Sequence, residues 1–135
     1  MVEQARRLNP GIGFREGNML ALDIPSQTLA GIVAFYAIVN LPRENLARAF
    51  QEIFRVLQPR GLLLTSFHIG NEALRPDELW GHRVSMDFFL LPTTEVRIGL
   101  EQAGFTVEDV TERDPYPEVE YPSRRAYIFA SRPAQ

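Results

Sequence analysis

Few side chains in this chain are suited to chemistry. His68 and His82 have a pKa near neutrality, so either could take a proton from an oxygen or nitrogen nucleophile. The other reading of each is a polar residue at a strand end or in a loop. Two histidines with no plausible third ligand make a poor metal site, and with no cysteine in the sequence thiolate sites are excluded, so no metal is expected. Phe35 and Tyr36 fall in the apolar run "GIVAFYAIV". An aromatic pair near a strand's carboxyl end either lines a ligand or packs in the core. Gly17-Asn18-Met19 offers an amide oxygen as acceptor, or is simply a turn with Met19 packed beneath it. Trp80, His82 and Phe88 lie in one long stretch, "GNEALRPDELWGHRVSMDFFLLP". They suit the wall of a small, planar substrate pocket and equally a dimer contact. No constellation dictates a nucleophile, so the catalytic residues stay unassigned.

The elements that must carry these residues are legible from periodicity. Val2, Ala5 and Leu8 recur at helical spacing, with Asn9-Pro10-Gly11 as the stop. "IGFRE", from Ile12 to Glu16, reads as a short strand. "GIVAFYAIV", from Gly31 to Val39, lacks alternation and predicts a strand covered on both faces. Pro42 opens a helix whose stripe is Leu46, Ala49, Phe50, Ile53, Phe54 and Leu57, ended by Pro59 and Gly61. "LLLTSF", Leu62 to Phe67, completes a βαβ unit. From Gly70 to Pro92 periodicity fails, and a connection of that length is more often functional than accidental. "TTEVRIGLEQAGF" restores a helix, with Thr93 or Thr94 as N-cap and Gly104 as the stop. "TVEDVTER" and "RAYIFASR", joined by a loop from Asp114 to Ser123, predict an antiparallel pair.

Composition narrows the function. The chain has 135 residues and reads as one α/β domain spanning 1–135, with no internal repeat. A net charge of −3 with scattered charges gives no footprint for nucleic acid and no polybasic membrane patch. The longest apolar run is too short to span a bilayer and the first ten residues lack a signal-peptide core, so a cytoplasmic setting is expected.

Four stretches, "MVEQARRLNPGIGFREGNMLAL", "LAGIVAFYAIVNLPRENLARAFQEIFRVLQPRGLLLTSF", "LEQAGFTVEDVTER" and "RRAYIFASRP", resemble the C-terminal part of a class I S-adenosylmethionine-dependent methyltransferase. The resemblance implies an incomplete Rossmann-like sheet, family strands 3-4-5-7-6, whose last hairpin is antiparallel. It implies S-adenosylmethionine as cofactor and a small-molecule acceptor. Asn18 and Met19 match the positions against the adenine, and Phe35 and Tyr36 those at the methyl-donor end. His68, Trp80, His82 and Phe88 fall where the family covers its substrate.

The sequence departs from the family in specific places. Asn18 replaces an aspartate, Val39-Asn40-Leu41 stands where a histidine is common, and Ala30-Gly31 replaces the usual Phe-Asp or Ala-Asp pair. No Gly-x-Gly-x-Gly occurs, because Met1 aligns with the start of the family's second helix. The expectation is therefore a truncated, weak or inactive enzyme. Without family strands 1 and 2, "IGFRE" would lie roughly 14 Å from the fourth strand. Either Ile12–Glu16 becomes that strand's new neighbour, or its open edge pairs with a second copy as a homodimer. A non-catalytic α/β interaction module assembling through that edge is the alternative.

Overall fold

A computed structural model describes residues 2–8, 10, 11, 17–70, 73, 74, 78, 79, 82, 83, 88–120 and 122–134. The elements are α1 (Val2–Leu8), β1 (Leu29–Phe35), a 3-10 turn (Ile38–Asn40), α2 (Arg43–Val56) and β2 (Leu57–His68). The short strands β3 (Ala73–Leu74), β4 (Glu78–Leu79), β5 (His82–Arg83) and β6 (Phe88–Phe89) follow. The chain then forms α3 (Thr93–Gln102), β7 (Thr106–Arg113) and β8 (Arg125–Ser131).

The main sheet runs β1-β2-β8-β7. β1 and β2 are parallel, and β8 is antiparallel to both β2 and β7. This is the family's 4-5-7-6 order with its antiparallel closing hairpin, the incomplete Rossmann-like sheet that the sequence implies. Ile12–Glu16, the expected family strand 3, lies outside the described residues. Among the described residues no helix is long and apolar enough to cross a membrane.

Both main helices pack on one face of the sheet. Leu46, Phe50 and Ile53 of α2 and Val96 and Leu100 of α3 form one core with Ala34, Leu63, Phe67, Ala126, Ile128 and Ala130. Strand alternation puts every second residue on the opposite face. There Val33 is 65% exposed, Phe35 50% and Leu62 42%. This corrects the expectation that β1 is covered on both faces: its apolar run reflects one packed face and one open one. β1 also stops at Phe35, short of Val39, because Tyr36 turns to φ +52 and the chain enters the 3-10 turn.

Two further expectations need correction. α2 ends at Val56, ahead of Pro59, and β2 begins at once, running through the Pro-Arg-Gly segment with a register shift against β1. That bulge is fastened to the end of β8: Arg60 N–H donates to Arg132 O and Arg132 N–H to Gly61 O, both at 2.9 Å. The Arg132 guanidinium also donates to the Phe54 and Leu57 carbonyls at 2.7 and 3.0 Å, satisfying acceptors the helix end leaves open. The N-cap of α3 is Pro92 and no side chain caps it; Thr93 Oγ1 instead donates to Glu112.

The aperiodic stretch after β2 holds two nested antiparallel pairs, β3 with β6 and β4 with β5. Two-residue strands carry too little alternation for periodicity to reveal them.

Candidate functional site

The carboxyl ends of β1 and β2 meet the start of β8 and the end of β7, and a polar network gathers there. Tyr36 leads it. Its left-handed backbone is a strained conformation for a bulky side chain, and the surroundings hold it. Tyr36 N–H donates to Ser66 O at 2.9 Å. Its ring stacks on His68 with centroids 4.9 Å apart. Its hydroxyl lies 3.3 Å from the Tyr127 hydroxyl and accepts from Arg125 at 3.4 Å.

The charged half of the network is built on Glu120. Arg113 grips Glu120 through two parallel bonds of 2.8 and 2.9 Å, and buried Arg125 donates to the same carboxylate at 2.9 Å. Arg113 also donates to the Tyr127 hydroxyl at 3.1 Å. These bonds tie the 114–123 loop across the sheet end. The Arg113 pair, with the Tyr116 N–H, holds the Glu120 carboxyl down at about 2, and Arg113 is raised in turn. Tyr127 is lowered by its bond from Tyr36 and by Arg113, while burial raises Tyr36.

His68 lies half-buried at the end of β2, with Nδ1 2.7 Å from Ser123 Oγ. Burial first, then Arg125, pushes its pKa below the ordinary value, so the ring is neutral at neutral pH and has basic capacity.

Of the residues singled out in the sequence, Tyr36 and His68 come together, and Phe35 borders them on the open sheet face. Met19 is half-buried against the core. Asn18 Oδ1 accepts from Leu20 N–H at 2.9 Å, closing its own turn. Trp80 lies outside the described residues; His82 and Phe88 fall in β5 and β6, and of these two residues only the backbone is described. Among the described residues no cluster could hold a metal ion.

Sequence reading missed Arg113, Glu120, Arg125, Tyr127 and Ser66. A signal existed for two of them, because alternation in "RAYIFASR" puts Arg125 and Tyr127 on one face. Pairing with β7 then sets Arg113 opposite Arg125. A groove of about 420 Å³ between α2 and α3, lined by Arg43, Leu46, Phe50 and Ile98 among others, includes none of these residues.

Residues 1–61 match the family model described as "Methyltransferase domain". No curated protein sequence matches the chain. Among solved structures, a SAM-dependent methyltransferase from Methanosarcina mazei is similar with a TM-score of 0.84 at 13% identity, covering 99% of this chain and 78% of its own. The [4+2]-cyclase SpnF is similar at 0.70 and 18% identity, covering 98% of this chain and 61% of its own. A third is the Burkholderia thailandensis 1,6-didemethyltoxoflavin-N1-methyltransferase, solved with that compound and S-adenosylhomocysteine. Its TM-score is 0.72 at 17% identity, covering 97% of this chain and 55% of its own. The family-model match over residues 1–61 and the Rossmann-like fold shared with these structures both agree with the resemblance to S-adenosylmethionine-dependent methyltransferases read from the sequence. The cyclase shows that the fold by itself does not fix the reaction.

Proposed function

We propose that this chain supplies the acceptor side of a methyl transfer from S-adenosylmethionine to a small molecule. The observation that carries this reading is the meeting of strained Tyr36 with neutral His68 at the carboxyl ends of two parallel strands. His68, oriented by Ser123, is the group suited to take the acceptor's proton, and the aromatic rings around it suit a planar acceptor.

The residues present do not complete the donor site. Asn18 stands where the family's aspartate is expected, and the sequence offers neither a Gly-x-Gly-x-Gly run nor the ribose acid that follows it in the family. Methyl transfer depends largely on positioning donor and nucleophile, so these 135 residues alone should be weak or inactive. Tritiated S-adenosylmethionine with a panel of small phenols and amines tests this, with transfer expected at background. The reading further expects that in-frame coding sequence upstream of Met1, if it holds a Gly-rich strand-turn-helix, restores transfer; a longer product with that element and no transfer would count against it.

A second reading, a non-catalytic module that dimerises through β1, is favoured by exposed Val33, Phe35 and Leu62 beside the sheet edge. Light scattering separates the two: a stable dimer indifferent to S-adenosylhomocysteine supports the module, and a monomer removes it.

A further inference from the structure

Two unfavourable features meet at the end of β1. Ser66 Oγ is fully buried and, among the described residues, has no hydrogen-bond partner. Tyr36, whose N–H donates to the Ser66 carbonyl, holds its backbone at φ +52. Strain and an orphaned buried hydroxyl at one point mark a place where the fold gives up stability for another purpose.

The geometry around the hydroxyl suggests that purpose. Leu63 and Phe67 point into the core, so alternation turns Ser66 to the opposite face, between its register partners Phe35 on β1 and Tyr127 on β8. Those outer strands are two spacings apart, roughly 10 Å. The Phe35 and Tyr127 ring centroids are nevertheless 6.1 Å apart, edge to face at 86°. The two rings therefore lean toward each other across the serine. Tyr127 is fixed by Arg113 and Tyr36, whereas Phe35 is half exposed beside the open face at Val33. Exposed side chains change rotamer in picoseconds to nanoseconds, so Phe35 is the ring free to swing out.

We propose that Ser66 is the polar anchor of a small-ligand subsite gated by Phe35, which takes a planar ring bearing a hydroxyl or equivalent hydrogen-bonding group. With Phe35 turned outward, the incoming ring takes over the edge-to-face contact with Tyr127 and its hydroxyl pairs with Ser66 Oγ. The subsite requires no methyl donor and stands or falls apart from the methyl-transfer reading.

Phenol, with toluene as the apolar control, is the probe, titrated into the 15N-labelled chain without cofactor and followed by amide shifts. Saturable phenol binding centred on Phe35, Ser66 and Tyr127, tighter than that of toluene, is expected. Ser66→Ala should weaken phenol about three- to tenfold and leave toluene within about twofold, the loss of one neutral hydrogen bond. Phe35→Ala, which removes the gate and keeps the anchor, should retain the preference for phenol. An unchanged phenol-to-toluene ratio in Ser66→Ala, loss of that preference in Phe35→Ala, shifts centred elsewhere, or no saturable phenol binding would each overturn the proposal.

Discussion

Ser66→Ala should stabilise the protein, an unusual direction for a buried substitution. A buried hydroxyl without a partner costs about 1–3 kcal/mol. Deleting the oxygen also forfeits several dispersion contacts at roughly 0.1–0.2 kcal/mol each, so about 1 kcal/mol of net stabilisation remains. For a chain of this length that raises the thermal midpoint by roughly 3–6 °C. The neighbouring residue supplies the control. Thr65 is equally buried, but its Oγ1 donates to the Ala34 carbonyl at 3.0 Å. Thr65→Val keeps the shape, loses that bond and should destabilise by about 1 kcal/mol. Thermal and urea unfolding of the two variants, adjacent on one strand, should therefore move in opposite directions. A midpoint for Ser66→Ala below the parent would mean that the hydroxyl is satisfied, and the argument for an anchor would lose its base.

Other perturbations probe the scaffold. Gly104 sits at φ +111, and an added Cβ would meet two Phe54 ring carbons at 2.9 Å, so Gly104→Ala should cost about 1–3 kcal/mol in urea unfolding. Phe50→Ala empties the contact between α2 and the Gly99 position of α3 and should cost about 3–5 kcal/mol, read the same way. Glu120, held at about 2, binds fewer protons folded than unfolded, where glutamate titrates near ~4.3. Its contribution is complete above that value and disappears as pH falls toward 2. His68, lowered by burial, adds an earlier loss beginning below about 6.5, since its unfolded form protonates first. Thermal midpoints measured from pH 7 to 2 should fall in both windows, and Glu120→Gln should flatten only the lower one.

The scaffold was legible because its signals are local. The stripe of α2, the apolar block of β2 and the alternation of β7 and β8 each repeat over enough residues to fix an element, and connection lengths set their pairing. The open sheet face was not legible. An unbroken apolar run such as "GIVAFYAIV" reads the same whether one face is packed or two, and only the placement of α2 and α3 decides. The polar network was hidden for another reason. Glu120 binds Arg113 and Arg125 across a loop, and no short-range pattern distinguishes those arginines from solvated surface charges. The strain at Tyr36 lies in a dihedral angle that no residue type there announces.

Titration calorimetry of the chain with S-adenosylhomocysteine tests the central claim most directly. With Asn18 in place of the family's aspartate and no glycine loop in the sequence, no binding is expected in the micromolar range. Micromolar binding by these 135 residues would contradict the assignment of an acceptor side without a complete donor site.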